Sequence, residues 1–226
     1  MTATTATLAF DVYGTLIDTH GVVAELQALV GERAQAFSQT WRDKQLEYAF
    51  RRGLMRQYAE FSICTRDALE YSCQAYQVNF SEEQKQTLLS CYQTLPAFAD
   101  VSAGLASLQQ AGHRLYAFSN GTRDAVEKLL QAAAIRTYFI DIVSVDEIQT
   151  FKPNPDVYQH FLERSDAVAE NTWLVSSNPF DVIGAQAAGL QGAWVRRSEL
   201  AVFDPWGSAP SATVTDIPQL LTVLAL

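Results

Sequence analysis

The sequence predicts an α/β protein: a parallel sheet covered by helices on both faces, with a helical block inserted after the first strand. Two observations carry this. From residue 97 onward, short and continuously apolar runs alternate with amphipathic helical patterns, as expected for strands buried on both faces. Ahead of them stands one apolar run, residues 7–12, cut off from the others by residues 19–95, which read as almost wholly helical. The economical arrangement is one core built from residues 1–17 and 97–226, with residues 18–96 as an inserted helical cap.

Taken in order, the first strand ends on Leu8, Ala9 and Phe10 and runs into Asp11, Val12, Tyr13, Gly14 and Thr15. Gly14 reads as the tight turn that stops it. An aspartate in that place suits ordinary turn chemistry as well as it suits a reacting carboxylate held by a rigid scaffold. In the helical block, "TWRDKQLEYAFRRGLMRQYAEF" sets Trp41, Leu46, Tyr48, Leu54, Met55 and Tyr58 near helical spacing, and "TRDALEYSCQAY" predicts a helix capped by Thr65. Beyond it come "RLYAFSN" (strand) and "TRDAVEKLLQAAAI" (helix), then "FIDIVSV" (strand) and "NPDVYQHFLERS" (helix). "TWLVSSN" (strand), "FDVIGAQAAG" (helix) and "GAWVRR" (strand) follow, and "DPWGSAPSATVTD" predicts a surface loop before a last short strand and helix.

A chain of 226 residues that is 48% hydrophobic can bury one substantial core and a subdomain, and is too evenly mixed for disorder. No run approaches the length of a membrane span, and "MTATTATLAF" lacks the basic-then-apolar order of a secretory leader. Cys64, Cys73 and Cys91 are odd in number and lack metal-type spacing, so reduced thiols in a cytoplasmic protein are expected. A formal charge of −9 argues against nucleic acid or an anionic membrane as partner, and means that an anionic substrate needs local cations.

Ligands of open parallel sheets sit outside the carboxyl ends of the strands. Those ends carry Asp11 after the first strand, Ser119, Asn120 and Gly121 after "YAF", Lys152 and Pro153 after the third, and Ser176, Ser177, Asn178 and Asp181 after "TWLV". Singly, each has a bland explanation as a turn, a solvated lysine or a helix start. Four at one sheet edge make a site.

"FDVYGTL", "FSNG", "KPNPDVY" and "SSNPFD", in that order and with a helical insertion after the first, resemble the haloacid dehalogenase superfamily over essentially the full chain, and within it the L-2-haloacid dehalogenases. The resemblance implies a Rossmann-like three-layer core with a cap, a homodimer, and a small 2-haloacid as substrate. Phosphatases of the superfamily use two aspartates one residue apart, and hold Mg²⁺ with the first of them and an acid in the last loop. Here Tyr13 stands at the second position, and Ser176-Ser177 replaces the acidic pair, leaving Asp181. Halide leaves without a proton, so displacing it needs neither lost group. No metal and no cofactor are implied.

By the same resemblance Asp11 is the nucleophile, supported by Thr15, and Ser119 with nearby amides cradles the substrate carboxylate. Arg42, in "TWRDKQLEY", faces the departing halide with Asn120, and Lys152 keeps Asp11 charged. Tyr158, Ser176 and Asn178 orient the network, and Asp181 positions or activates water. Tyr13, Leu46 and Phe61 form an apolar wall. Asn178-Pro179-Phe180-Asp181 departs from the familiar Asn-Ala-Trp-Asp: Phe180 keeps an aromatic wall without the indole N–H, and Pro179 removes a backbone donor. Asp43 adds a negative charge beside Arg42. His20, His113 and His160 match no catalytic position. Three other readings remain open: a related hydrolase with a non-halide leaving group at C2, such as a strained ring nitrogen; a metal-dependent phosphatase, which Tyr13 and Ser177 oppose; and a non-catalytic anion-binding scaffold.

Overall fold

The structure is a computed structural model that describes residues 5–225. The first four residues of the segment read for a leader, and residue 226 of the expected core, lie outside the described residues. Six strands, β1 (Thr7–Phe10), β2 (Arg114–Ser119), β3 (Asp141–Ser144), β4 (Thr172–Ser176), β5 (Gln191–Val195) and β6 (Ala212–Val214), form one sheet in the order β3-β2-β1-β4-β5-β6. Every neighbouring pair is parallel. Between β1 and β2 lie α1 (Val23–Val30), α2 (Ala34–Met55), α3 (Phe61–Ala75), α4 (Glu82–Cys91) and α5 (Val101–Gln110). Later crossovers carry α6 (Arg123–Ala132), α7 (Pro155–Ser165) and α8 (Pro179–Ala187), and α9 (Leu220–Leu224) follows β6.

The continuous apolar runs are explained by burial on both faces. Leu8, Phe10, Leu115, Ala117, Ile142 and Val175 join one core cluster with Val126, Leu129, Leu105 and Ile217. Their strand neighbours Ala9, Tyr116, Phe118, Val143 and Leu174 join the other, with Val157, Tyr158, Phe161 and Ala185. Alternate side chains therefore feed opposite helical layers, which is the three-layer α/β fold.

β1 stops at Phe10, two residues short of the expected strand, because the chain turns: the N–H groups of Leu16 and Ile17 both donate to the Val12 carbonyl at 3.0 Å. Gly14, at φ +83°, supplies the left-handed residue this turn requires. Two adjacent segments connect the helical block to the sheet, where Asp18 N–H donates to Pro96 O (2.9 Å) and Phe98 N–H to Leu16 O (3.0 Å).

Two expectations within the helical block need correction. Thr65 does not cap α3; that helix begins at Phe61, and Thr65 is buried in its second turn. Burial of Phe61 and Cys64 holds the first turn in place of a cap. Leu54 and Met55 continue the helical spacing of α2 but are 86% and 57% exposed, because the buried stripe of the helix ends at Ala49. Tyr58 lies beyond the helix, past the left-handed Arg56.

Gly104 lets α5 lie against the segment before α9: a Cβ there would stand 2.6 Å from Ile217 Cγ2 and 3.0 Å from its carbonyl carbon. Gly104→Ala is expected to lower stability in urea by about 1–3 kcal/mol, the usual cost of overpacking. An unchanged denaturation midpoint would contradict this packing.

Candidate active site

β1 is central in the sheet, and the strand order reverses direction between it and β4, the place where open α/β sheets leave a crevice. Asp11 occupies that point. Its N–H extends the ladder by donating to Val175 O at 3.0 Å, while its side chain leaves the sheet edge almost wholly buried. The two carboxylate oxygens are treated differently. Oδ2 accepts from Thr15 Oγ1 (2.8 Å), Asn178 Nδ2 (2.8 Å) and Ser176 Oγ (3.1 Å). Oδ1 faces Lys152 Nζ at 3.4 Å. The two hydroxyl donors are fixed in turn: Ser177 N–H donates to Thr15 Oγ1 (2.8 Å), and Asn178 N–H to Ser176 Oγ (3.1 Å).

Lys152 is 1% exposed, and its three ammonium protons have three acceptors: Asp181 Oδ2 (2.8 Å), Phe118 O (2.9 Å) and Asp11 Oδ1 (3.4 Å). Its tighter partner is thus Asp181, whereas the sequence pointed to Asp11. Asp181 is fully buried; its Oδ1 accepts from the Tyr158 hydroxyl at 2.8 Å. Burial pushes the Asp181 carboxyl above its ordinary range, with Lys152 pulling the other way. Burial, and then the charge of Asp181, raises the Tyr158 hydroxyl well above its usual value. Tyr158 therefore stays a donor. Gly184 leaves room for it, since a Cβ there would stand 2.5 Å from the Tyr158 hydroxyl.

Arg42 arrives from α2. Nη2 donates to the Tyr13 carbonyl at 3.3 Å and Nη1 to Gln45 Oε1 at 2.6 Å, and among the described residues no carboxylate pairs with it. Its charge is uncancelled. Asp43 does not add a negative charge to the site: it is exposed and accepts from Gln39 at 2.8 Å, one helical position being enough to turn it away. Ser119 is buried at the end of β2, its Oγ accepting from Gly121 N–H at 3.1 Å. Asn120 Oδ1 accepts from Lys152 N–H at 3.0 Å, so its amide nitrogen is the atom left to meet an anion.

Tyr13 and Phe61, with ring centroids 6.0 Å apart, line a cavity of about 270 Å³ together with Gln45, Thr65 and Gly121. Burial raises the Tyr13 hydroxyl to about 12, so this wall stays neutral. Leu46, half-buried one turn beyond Arg42 on α2, does not line that cavity. Phe180 packs edge-on against Phe50 of α2 (4.9 Å) in a different, apolar cleft whose wall includes Lys152. Pro179 is the first residue of α8, a position whose N–H has no helical partner, so the missing donor costs the helix nothing.

Gln45 and Arg197 escaped the sequence reading, and Ser177 was placed at the sheet edge without a role. Gln45 binds Arg42, and its position three residues on along one helix was a usable signal. Ser177 Oγ donates to Gly14 O at 2.8 Å, bracing the turn. Arg197, after β5, donates to the Thr15 carbonyl through Nε (3.1 Å) and Nη2 (2.6 Å) and to Asp100 through Nη1 (2.7 Å). Nothing local in the sequence announces that long-range contact.

The donor set does not fit the Mg²⁺ site of related phosphatases. Mg²⁺ wants six oxygens, but Oδ2 of Asp11 already faces two hydroxyls and an amide N–H, and the two carboxylates share the Lys152 ammonium.

Residues 5–189 match the haloacid dehalogenase-like hydrolase family. The chain belongs to it. Haloacetate dehalogenase H-2 of Moraxella sp. (strain B) is 36% identical over 219 residues, covering 97% of both chains. (S)-2-Haloacid dehalogenase 2 of Pseudomonas sp. (strain CBS-3) is 33% identical, covering 96% of this chain and 94% of that one. Among solved structures, L-2-haloacid dehalogenase from Xanthobacter autotrophicus with chloropropionic acid covalently bound superposes with a TM-score of 0.89 at 29% identity, covering 98% of both chains.

Lys152 is shared between the two buried carboxylates, and stability should report it. Lys152→Ala leaves two buried carboxylates without their cation, and is expected to cost about 3–5 kcal/mol at neutral pH. Because burial raises the folded-state pKa of Asp181, the folded protein binds more protons than the unfolded chain above the ordinary carboxylate range. Lys152 pulls that pKa down, so its removal raises it further, and the penalty should shrink as pH falls through the variant's higher range. Urea titrations across pH test this; a small loss independent of pH would contradict it.

Proposed function

We propose that this hydrolase displaces halide from short L-2-haloalkanoic acids, giving the D-2-hydroxy acid and halide. The observation that carries the reading is the asymmetry of Asp11, whose Oδ2 is held by three donors while Oδ1 faces only a 3.4 Å contact from Lys152. Oδ1 keeps its lone pairs for attack. The bond from Oδ1 to C2 forms as the carbon–halogen bond breaks in line, and halide departs with the bonding pair toward Arg42 and the Asn120 amide. Backside attack inverts C2. Ser119 and the amides that follow it receive the substrate carboxylate. Water then attacks the ester carbonyl carbon of Asp11, releasing the hydroxy acid and restoring the carboxylate.

The raised pKa of Asp181 suits a base for that water, and Tyr158 and Lys152 hold it in place. A bound haloacid brings a second negative charge beside Asp11, and the uncancelled charge of Arg42 offsets it. Tyr13 and Phe61 exclude water, which leaves the nucleophile poorly solvated and reactive. Thr15, Ser176 and Asn178 aim the carboxylate. Leu46 and Phe180, which lie outside the cavity of Tyr13 and Phe61, are not given a substrate contact in this reading. The covalently bound chloropropionic acid of the Xanthobacter enzyme supports the same chemistry here.

The proposal extends to the whole chain. Residues 18–96 act as a cap that closes on the core of residues 1–17 and 97–226. Among the described residues no helix is long and apolar enough to cross a membrane, and the three cysteines are unpaired, which supports a cytoplasmic site of action. A homodimer belongs to the same reading, with exposed Leu54 and Trp206 beside the Phe180 cleft as surface that a second copy would cover.

Incubation with each enantiomer of 2-chloropropionate tests the reading. Halide and D-lactate are expected from the L form alone, undiminished by exhaustive chelation, and Arg42→Lys should lower turnover about 100-fold in a folded protein. Phosphatase activity restored by Mg²⁺, with no halide release, would overturn it.

A further inference from the structure

Arg42 does not orient its own guanidinium. Nη1 donates to Gln45 Oε1 at 2.6 Å, and Gln45 Nε2 donates to Thr65 Oγ1 at 2.5 Å. Thr65 passes its own proton to Phe61 O at 3.0 Å, while Trp41 Nε1 donates to Thr65 O at 2.8 Å. The direction of every bond is determined. An arginine only donates, so Gln45 must present its oxygen; its NH₂ then needs an acceptor, and Thr65, whose proton is already placed, offers a lone pair.

Gln45 is 1% exposed. A buried primary amide is costly unless its groups are satisfied, and here the oxygen holds Arg42 within α2 while the nitrogen ties α2 to Thr65 of α3. A glutamate would grip Arg42 more strongly but would cancel its charge. A leucine would fill the space and release it. The neutral amide does the one thing neither alternative can: it fixes the fork and leaves the cation whole. Gln45 and Thr65 also line the cavity walled by Tyr13 and Phe61, so the relay borders the space where substrate would lie.

We propose that Gln45, held by Thr65, is a positioning residue for halide departure, aiming Arg42 at the leaving group without neutralising it. This rests on the dehalogenase reading. It makes a demand that a merely structural role does not: loss of the relay must hurt a poor leaving group more than a good one, because assistance from Arg42 matters most where the carbon–halogen bond is hardest to break.

The test is single-turnover halide release, with enzyme in excess, from L-2-chloropropionate and L-2-bromopropionate. Gln45→Leu is expected to slow chloride release about 10- to 100-fold, the scale of a misplaced catalytic group, and bromide release less. The bromide-to-chloride rate ratio therefore rises. Gln45→Glu should be slower still on chloride. Thr65→Val should behave like Gln45→Leu, and Thr65→Ser, which keeps the accepting hydroxyl, should recover most of the lost rate; this pair carries the test if the Gln45 variants do not fold. An active wild type whose variants keep the wild-type ratio, or lose both halides equally, overturns the relay alone. A wild type that releases neither halide overturns the dehalogenase reading and the relay with it.

Discussion

Two carboxylates and one ammonium share the dry interior at the carboxyl ends of β1 and β4, and the site depends on how that imbalance is held. Lys152 gives one proton to Asp181, one to the Phe118 carbonyl and a longer one toward Asp11. Neither carboxylate can be buried without it. Because Asp181 takes the shorter contact, Asp11 keeps one oxygen lightly held, the oxygen that the proposed reaction uses as nucleophile. The neutral donors on the other oxygen supply orientation without adding charge. Parallel strands make this possible, since their ends deliver Asp11, Lys152 and Asp181 from distant parts of the chain to one edge.

Charge is divided between the sheet edge and the helical block. The sheet edge has its cation committed to its own carboxylates. Arg42, supplied by α2, is matched only with neutral acceptors, the Tyr13 carbonyl and the Gln45 amide. In a chain of formal charge −9, that uncancelled guanidinium is what makes an anion welcome beside Asp11. Tyr13 links the two parts: its carbonyl receives Arg42, and its ring packs toward Phe61 from α3.

Much of this was legible in the sequence, and the exceptions share a cause. Strands buried on both faces wrote themselves as apolar runs, and the strand-end residues were found because the sheet brings such ends together whatever the loops do. Asp11, Thr15, Lys152, Tyr158, Ser176, Asn178 and Asp181 do meet in one network. What local pattern could not tell was direction. Thr65 followed by an acid in the next turn looks like a helix cap until Phe61 and Cys64 are seen to be buried. Asp43 looks like a neighbour of Arg42 until the helix turns it outward. Leu54 and Met55 keep the helical spacing after the surface it faced has ended. Gln45 was passed over because its i+3 spacing carries weight only once Arg42 is known to point inward, and Arg197 because its partner Thr15 is far away in sequence.

The central claim is that Asp11 itself attacks carbon, and the origin of the product oxygen tests it most directly. In the ester route the first hydroxyl oxygen comes from the Asp11 carboxylate; in direct hydrolysis it comes from water activated by that carboxylate, and both routes invert C2. A single turnover in H₂¹⁸O, with enzyme in excess of L-2-chloropropionate, separates them by mass spectrometry of lactate and of the peptide containing Asp11. The account predicts unlabelled lactate and ¹⁸O in the peptide. Labelled lactate from that first turnover, with no label on Asp11, would contradict it.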